Sequence, residues 1–530
     1  MKFKNGIRVK DWHEEIDYES TVDVPQEYLD KCKGDEALAK LTYKIASACP
    51  DEELGRGQEI YDEKVDELNL WRDDMPSAWH QVTKQRRREN DLRFLIKTKK
   101  VSEKPQLLVE YLVGLHNIKT LNGKQREIFV YRDGYYKESE NYIRHEVQRI
   151  MKDKVTESLK REVLGSLKDK TLVFKETPVD KKFINLDNGI YDIKTQKLLA
   201  HSPEYFFTWK LPVSYDPACV CENIQRSLQG LLREDDIRLL QEWMGYCLYR
   251  DYGLKKAVIL VGEQNTGKST VIKLFEALVG RENVSGVSLD KLTSDKYSTA
   301  HLRDKFINLY DDLSYKDVND NGVFKMATGN GLVTGEFKYG DQFHFQNHAK
   351  LTFACNKIPS VKDTHDDAYF GRWMIIEFNR QIEKKDPNIF AKMSTDKELS
   401  GLLNFALEGL NRIIEQGEFS YNKTEDEIKE QMLKSGSPVA QFAYDYLIEE
   451  EKATITKDHM IEYYRAYAKQ HGLPSITKEN LGKKLPKYAQ YIDSGKEGAR
   501  KHQYSVWRNV QVKEGVLPEE EFEDFDLEEE

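Results

Sequence analysis

Short apolar runs alternate with helical segments in the middle of the chain, from residue 255 to about 380. The runs read KKAVILVG, KFINLYDD, KLTFACN and WMIIEF. Such alternation is typical of a mainly parallel sheet flanked by helices. We therefore expect an α/β domain in this segment, with its functional residues at the ends of the strands.

The pattern changes on both sides of this segment. Residues 1–104 are rich in charge and helix formers, and their pattern indicates no role. Residues 105–250 mix helices with two predicted hairpins, turned at Asp133-Gly134 and at Asn188-Gly189, and are interpreted as an α+β collar or oligomerisation region. Helices continue to about 434, where a Gly-Ser-Pro sequence indicates a linker. The predicted domains are 1–104, 105–250, 251–435, 436–512 and an acidic tail, 513–530.

The segment 436–512 reads as helix, turn, helix, basic loop and aromatic strand, which is a winged-helix pattern. Basic residues cluster on its second helix at Lys483, Lys484 and Lys487, and in the predicted wing at Arg500 and Lys501. Such clusters suit contacts to duplex phosphates, for example at a replication origin. The alternative is a module that binds protein.

Composition indicates a globular protein, with 32% charged and 39% hydrophobic residues. No apolar stretch is long enough to span a membrane, and the first residues lack the apolar core of a signal peptide, so we expect a cytoplasmic protein without a membrane partner. The six cysteines lack the spacing of a disulfide framework or a zinc site. We expect reduced thiols and no structural metal.

The net charge of −10 is unevenly distributed, because the last twelve residues hold nine acids. The rest of the chain is close to neutral, at −1, and local basic patches in it can still bind phosphates. The acidic tail, with Phe522 and Phe525 among its carboxylates, is interpreted as a disordered segment that binds a replication-protein partner or mimics DNA.

The strongest motif is GEQNTGKST, which follows the apolar run 257–261 and precedes a predicted helix. This is a P-loop in its required context, and it predicts ATP and Mg²⁺ as cofactors. Its backbone N–H groups and helix N-terminus would face the phosphates. The lysine would reach the β and γ phosphates, and the serine would ligate magnesium. The nine residues are Gly262, Glu263, Gln264, Asn265, Thr266, Gly267, Lys268, Ser269 and Thr270.

Two neighbouring carboxylates, Asp311 and Asp312, end the next strand-like run. A Walker B site requires such a pair, because the metal needs a second anchor and the attacking water needs orientation. We assign Asp311 to magnesium and Asp312 to the water. The alternative is an acidic pair at a solvated strand end.

Asn356 and Arg372 complete the candidate catalytic set. Asn356 ends a further apolar run and can act as a sensor of the γ phosphate or the lytic water, or be an ordinary strand exit. Arg372, at the entrance of a strand, can serve as an arginine finger for a neighbouring subunit. The alternative for Arg372 is an ion pair with Asp366 or Asp367 of the same chain.

The order and spacing of these four elements resemble the superfamily 3 helicases, in particular the phage and plasmid primase–helicase branch related to the poxvirus type. The resemblance spans about 110–510. Beyond the P-loop it is carried by NGIYDIKTQKLLAHSP, LQEWMGYCLYR, FKMATGNGLVTGEFKYGDQFHFQNHAKLTFACNKIP and AYFGRW. The resemblance implies an AAA+-like P-loop motor.

The resemblance also implies a ring, hexameric in such relatives, with ATP between subunits and a DNA strand in the central channel. In these rings a hairpin between the acid pair and the sensor grips the strand, which corresponds here to 335–340. We assign DNA contacts to Lys338, Tyr339 and Lys325. A solvated lysine on an ordinary turn is the alternative. Many relatives begin with a primase domain, but the lone pair Asp73-Asp74 does not support one.

The leading interpretation is an ATP-dependent replicative DNA helicase of a phage, plasmid or other mobile element, loaded at an origin through its C-terminal domain. Two alternatives remain: an origin-binding or remodelling ATPase that does not unwind processively, and a non-enzymatic adaptor with a degenerate motor. The intact motor residues argue against the adaptor.

Overall fold

The structure is a computed structural model. It describes residues 103–513, except 123–125, 174–178, 314–320, 360, 362, 383–385 and 499–502, and before residue 103 only 2–4, 7–9, 36–49, 60, 61, 64 and 92. The chain forms two compact units, Met1–Thr177 and Pro178–Glu530. This division falls inside the range 105–250 that the sequence pattern groups as one region.

The first unit contains a four-stranded sheet of order β5-β4-β3-β6, with helices that supply its core. The predicted turn at Asp133-Gly134 is confirmed, with φ values of 53° and 85° that suit a two-residue hairpin. The elements are β1 (Lys2–Lys4), β2 (Ile7–Val9), α1 (Glu36–Ala48), α2 (Lys104–Leu115), β3 (Ile118–Leu121), β4 (Ile128–Arg132), β5 (Tyr135–Glu138), α3 (Glu140–Met151), α4 (Glu157–Lys170) and β6 (Leu172–Val173).

The second unit begins with three antiparallel strands, β7 (Phe183–Leu186), β8 (Gly189–Asp192) and β9 (Lys197–Leu199). The prediction of Asn188-Gly189 as turn residues is off by one position, because Leu186 pairs with Gly189 and the reversal occurs at Asp187 and Asn188. Gly189 has a different role. A Cβ there would lie 2.5 Å from the carbonyl oxygen of Leu199, so the glycine permits the close approach of β9.

The predicted parallel sheet is confirmed as five strands in the order β11-β12-β15-β10-β16, all parallel. Its strands are β10 (Ala257–Val261), β11 (Val284–Ser285), β12 (Ile307–Tyr310), β15 (Lys350–Cys355) and β16 (Trp373–Glu377). β15 and the first four residues of β10 and β16 are buried, which fits the continuous apolar runs of the sequence. All carboxyl ends therefore meet at one edge.

Helices and one hairpin surround this sheet. The hairpin consists of β13 (Leu332–Glu336) and β14 (Gln342–Gln346), antiparallel. The helices are α5 (Glu222–Leu231), α6 (Glu234–Leu248), α7 (Lys268–Val279), α8 (Leu289–Ser294), α9 (Asn321–Ala327), α10 (Asp367–Phe370), α11 (Ile389–Met393), α12 (Asp396–Gln416) and α13 (Glu425–Gly436). Within the described residues, no helix combines the length and the apolar character needed to cross a lipid bilayer.

The C-terminal part of the second unit has its own apolar core, which includes Tyr464, Tyr467 and Trp507. Its helices pack beside a three-stranded antiparallel sheet of order β17-β19-β18. The elements are α14 (Pro438–Tyr446), β17 (Leu447–Thr456), α15 (Lys457–Gln470), α16 (Lys478–Tyr488), β18 (Asp493–Glu497) and β19 (Tyr504–Val512). The two expected helices, α15 and α16, and the expected aromatic strand, β19, are present, whereas β17 and β18 were not predicted and residues 499–502 of the expected basic loop lie outside the described residues.

Candidate functional site

A cavity of about 1140 Å³ opens at the carboxyl edge of the parallel sheet. Its floor consists of the loop after β10, the residues after β12 and the residue after β15. The structure therefore brings together most of the residues that the sequence assigned to ATP and Mg²⁺, namely Gln264, Asn265, Thr266, Gly267, Lys268, Ser269, Thr270, Asp311, Asp312 and Asn356. Gly262 and Glu263 line an adjoining pocket with Thr266 and Asn356.

The loop after β10 has the backbone of an anion cradle. Gly267 has φ 93° and Asn265 φ 64°, so the chain curls immediately before α7 begins at Lys268. A Cβ on Gly262 would lie 2.4 Å from the carbonyl oxygen of Phe378, and only glycine fits there. α7 therefore begins at the cavity, and the positive end of its dipole there favours an anionic ligand.

Lys268 lies at the centre of the site and is only 8% exposed. Its Nζ donates to the carbonyl oxygens of Gly262 at 2.6 Å and Glu263 at 2.7 Å, and to Oδ1 of Asn356 at 3.3 Å. Burial lowers the pKa of this ammonium, while the nearby thiol of Cys355 and the two aspartates act in the opposite direction. The ammonium is thus already held at the cavity floor.

Asp311 and Asp312 follow β12 directly and have exposed side chains on the cavity wall. The backbone N–H of Asp312 donates to the carbonyl oxygen of Ala354 on the adjacent strand at 3.1 Å. Asp312 has φ 77°, an unusual backbone for a non-glycine residue, and the N–H of Leu313 after it donates to the same carbonyl oxygen at 2.8 Å. Both carboxylates attract the Lys268 ammonium.

The residues present fit a magnesium ion held together with phosphates. Mg²⁺ prefers oxygen ligands and is usually bound by one or two carboxylates plus substrate phosphates. Asp311, Asp312 and the exposed hydroxyl of Ser269 supply such oxygens on one cavity. Over the described parts of the chain, no cluster of three or more His, Cys, Asp or Glu side chains forms a metal cage, so an ion here would depend on the nucleotide.

The outer wall of the cavity comes from residues that sequence reasoning missed. These residues belong to α5 and to the segment after β16, far apart in sequence, and no short motif marks them. Leu231 packs directly on the P-loop, since a Cβ at Gly267 would lie 2.5 Å from its Cδ1. The apolar members of this wall are Leu231, Ile382, Pro387, Ile389 and Met393.

Arg372 lies at the opposite edge of the sheet, just before β16. Its carbonyl oxygen accepts from the N–H of Ala257, the first residue of β10. Because β10 has five residues, Arg372 is roughly 16 Å from the P-loop of its own chain. Among the residues that the structure describes, no carboxylate forms an ion pair with it, since Asp366 pairs with Lys325 and Asp367 with Lys429.

The candidate DNA contacts differ in whether their charge is already paired within the chain. Lys338 and Tyr339 lie at the tip of the β13–β14 hairpin, where Tyr339 is 95% exposed and the Lys338 ammonium lies 5.3 Å from its ring centre. Lys325 is already paired with Asp366, at 2.7 Å, and this pair holds α9 against the residues before α10. Nothing in the sequence distinguishes Lys325 from Lys338, because its partner Asp366 lies 41 positions away along the chain.

Three exposed lysines, Lys483, Lys484 and Lys487, lie on α16. Their spacing places Lys487 on the same face as the other two. The two wing residues assigned to DNA, Arg500 and Lys501, lie outside the described residues, as does the acidic segment 514–530.

Three family models match separate parts of the chain. A model described as "D5 N terminal like" matches residues 54–232, and one described as "Poxvirus D5 protein-like" matches 435–529. Between them, "Family of unknown function (DUF5906)" matches 260–372, which contains the P-loop and the acid pair. The first match reaches into residues 54–104, for which the sequence pattern indicated no role.

One relative is the protein of Acanthamoeba polyphaga mimivirus named "Putative helicase L207/L206", with 20% identity over 206 residues. The match covers 37% of this chain, and the chain spans only 21% of that relative's length. Two solved structures of the NrS-1 C terminal region are similar at 12% identity. Their TM-scores are 0.44 and 0.45; the matches cover 75% and 77% of this chain, and 97% and 99% of theirs.

Proposed function

Because this chain is a relative of the poxvirus-type primase–helicases, we propose that it is an ATP-dependent DNA helicase that replicates a viral or other mobile genome. One observation carries the proposal. The Lys268 ammonium lies 3.3 Å from Asn356 Oδ1 in a single cavity with Asp311 and Asp312, on three neighbouring parallel strands. A phosphate-binding cation, two carboxylates and an amide at one sheet edge are the parts that phosphoryl transfer to water requires.

Each side chain has a role in this proposal. Lys268 exchanges its bonds to the loop carbonyls for the β and γ phosphates. Ser269 and Asp311 would hold Mg²⁺, which would neutralise phosphate charge. Asp312 orients the attacking water and accepts its proton. Asn356, already bonded to Lys268, contacts the γ phosphate and senses whether it is present.

The proposed motor is AAA+-like. The P-loop strand β10 lies between β15 and β16, and β12 with its acid pair is the next strand beyond β15. In this order the sensor strand separates the P-loop from the acid pair, so Asn356 can contact groups held by both. The wall that Leu231 and Met393 provide lies where the base and ribose of a nucleotide would extend from the P-loop.

The proposed active form is a ring, for which a hexamer is our expectation. The cavity is lined by one lysine and no arginine among its described residues. Phosphoryl transfer spreads negative charge over the γ phosphate, so a further cation from an adjacent subunit would complete the site. Arg372 is on the opposite edge of the sheet and is our candidate for that cation.

Two surfaces are proposed to contact DNA. The β13–β14 hairpin carries Lys338 and Tyr339 at its tip, and its base is anchored because Thr299 Oγ1 donates to the Thr334 carbonyl oxygen at 2.7 Å. An anchored hairpin with a cation and an exposed ring suits a single strand in a ring channel. The C-terminal segment, with three helices and three antiparallel strands, is proposed as a winged helix that binds origin duplex through α16.

Strand displacement on forked DNA tests the proposal. The wild-type chain is expected to unwind a fork only with ATP and Mg²⁺, and a Lys268→Ala chain is expected to do neither hydrolysis nor unwinding. ATP hydrolysis without displacement on forks of either polarity would instead favour the remodelling ATPase. Absence of ATP hydrolysis by a folded, assembled wild-type chain would exclude both.

Point variants are better suited than a truncation after residue 436 to test origin binding. Ala440, beyond that cut, belongs to the core of the parallel-sheet domain. In addition, Thr364 Oγ1 donates to the carbonyl oxygen of Lys487, and His365 Nδ1 lies 3.0 Å from Gln490 Nε2. Truncation would therefore disturb the motor as well as the DNA contact.

A further inference from the structure

We propose that the acidic segment 514–530 of this chain docks on the lysine face of α16 and competes there with DNA phosphates. The lysine face is defined by Lys483, Lys484 and Lys487. The proposal rests on the proposed function for its DNA part, whereas the docking itself stands on the charge and geometry of this chain alone.

The first observation is that the lysine face lacks counter-charges. All three ammonium groups are exposed, and among the residues that the structure describes none has a carboxylate within ion-pair distance. Lys478, at the start of the same helix, differs because it pairs with Asp458. The lysine face is thus a surface that attracts anions.

The second observation concerns where the acidic segment begins. Lys513, the last described residue, is fixed because its backbone N–H donates to the Tyr446 carbonyl oxygen and its Nζ to that of Tyr444, both at 2.8 Å. Both tyrosines belong to α14, which packs against α16, so the segment starts on the helix next to the one that carries the lysine face.

The third observation is composition and length. The seventeen residues 514–530 contain ten carboxylates and no lysine or arginine. A chain of this length can extend roughly 55 Å, far more than the length of α16, about 17 Å for eleven residues. A short tether also gives the segment a high effective concentration at the face. The segment is therefore a better-placed ligand than any free acidic peptide.

The physical consequence is competition. Phosphates and carboxylates are both attracted by the same three ammonium groups, so an occupied face binds DNA more weakly than an empty one. Any duplex must displace the segment before it contacts the three lysines, so docking lowers the affinity for correct and incorrect duplexes by the same factor.

Zero-length carbodiimide cross-linking of the full chain without DNA tests docking directly. We expect tail carboxylates joined to Lys483, Lys484 or Lys487, and not to Lys452, an exposed lysine of the same module beside Glu449–Glu451. Mixing isotopically labelled and unlabelled chains assigns each cross-link to one chain or two. Cross-links absent from the lysine face, or found only between chains, would overturn the proposal.

A second experiment measures competition. We compare duplex binding by the wild-type chain and by a variant in which all ten tail acids are changed by Glu→Gln and Asp→Asn, leaving length and apolar residues intact. The variant is expected to bind roughly tenfold tighter at about 50 mM salt, with a smaller gain at about 200 mM. In a chain that also carries K483Q, K484Q and K487Q, the tail change is expected to have no effect.

The two failures are distinguishable. If neither chain binds DNA but the lysine-face cross-links form, docking stands and the DNA-binding function is wrong. If the wild-type chain and the neutral-tail variant bind DNA equally and no cross-links form, the DNA-binding function stands and docking is wrong. Equal gains with and without the lysines would show general repulsion by the tail rather than occupation of this face, and would also overturn the proposal.

Discussion

Arg372 donates a hydrogen bond from Nη1 to the hydroxyl of Thr328 at 3.2 Å, which holds its guanidinium against its own chain. Thr328 is fully buried. The Nε of Arg372 is also enclosed, with no hydrogen-bond partner among the described residues, and burial lowers the pKa of the group. An arginine finger that acts on a neighbouring subunit would have to break this hydrogen bond. Removing the bond therefore distinguishes a structural role of Arg372 from a catalytic one.

Subunit mixing tests the catalytic role. Arg372→Ala and Lys268→Ala chains are each expected to lose ATP hydrolysis, and their mixture is expected to recover part of it, because intact halves can meet at some interfaces. Thr328→Val serves as the control. It removes the intrachain bond but keeps the arginine, so a finger that leaves Thr328 should retain its activity. If no mixing ratio recovers ATP hydrolysis, and Thr328→Val loses as much activity as Arg372→Ala, the role of Arg372 is structural.

Lys268→Ala is expected to lower kcat for ATP hydrolysis at least about 100-fold, because it removes a cation aimed at developing phosphate charge. The matched control is Lys273→Ala, an exposed lysine on the same helix, which should hydrolyse ATP like the wild type. The measurement is phosphate release at saturating ATP, with the folded state checked by circular dichroism. Near-wild-type turnover by Lys268→Ala would contradict the assignment of the P-loop.

Substitutions of Asp311 and of Asp312 are expected to change different kinetic parameters. Asp311→Asn should increase the Mg²⁺ concentration needed for half-maximal ATP hydrolysis, because it removes a charged ligand. Asp312→Asn should lower kcat by roughly 100-fold while ATP still binds, since it alters only the water. A magnesium titration of turnover, together with fluorescent-nucleotide binding, measures both. Identical profiles for the two variants would contradict the division of roles.

The hairpin tip is expected to dominate the contact with single-stranded DNA. Tyr339→Ala should weaken binding by about 1–3 kcal/mol if the ring stacks on a base. Lys338→Ala should reduce the salt dependence of binding by about 0.7 in log–log slope, corresponding to one phosphate. Lys291→Ala, at another exposed lysine, is the control. Unchanged affinity and unchanged DNA-stimulated hydrolysis in both tip variants would exclude the hairpin as the grip.

The buried Lys350 is expected to make the free energy of unfolding depend on pH. Its side chain is fully buried, its Nζ donates to the carbonyl oxygens of Tyr249 at 2.6 Å and His348 at 2.9 Å, and burial lowers its pKa to about 7. An unfolded lysine titrates near 10.5. Between these values the unfolded chain binds more protons than the folded one, so this residue's contribution to stability increases as pH rises and is lost as pH falls towards 7.

Scanning calorimetry of the wild type and Lys350→Met at pH 7, 8 and 9 measures this effect. The free energy of unfolding of the wild type minus that of the variant should increase with pH, by up to about 1.4 kcal/mol per pH unit. Lys291→Met, an exposed lysine, should show no such trend. A difference that is constant across the range, or that shrinks with rising pH, would contradict a lowered pKa of the buried Lys350.

The sequence predicts the parts of the site that depend on local pattern. The P-loop, the acid pair and Asn356 each follow an apolar strand, and parallel strands bring their carboxyl ends to one edge. The turn at Asp133-Gly134 is predicted for the same reason, because a two-residue signal determines the hairpin. At Asn188-Gly189 the same signal is misleading, since Gly189 is required by the approach of Leu199 rather than by the reversal.

The remaining features depend on residues that are far apart in sequence. Nothing near Lys325 indicates that Asp366 will pair with it, and nothing near Arg372 indicates Thr328. The apolar cavity wall joins Leu231 to Met393, more than 150 positions away, through packing alone. Side-chain partners of this kind follow from the tertiary structure, in which burial and shape decide between several chemically equivalent choices.

The contact between Gly267 and Leu231 makes the P-loop and α5 mechanically dependent on each other. The glycine has φ 93° with the leucine methyl group against it, so a change in the loop's curvature would press on the last turn of that helix. The first turn of the same helix is restrained, because the Glu398 carboxylate of α12 accepts from the N–H groups of Asn223 and Ile224. α5 therefore has one end restrained by α12, while its other end packs on the P-loop.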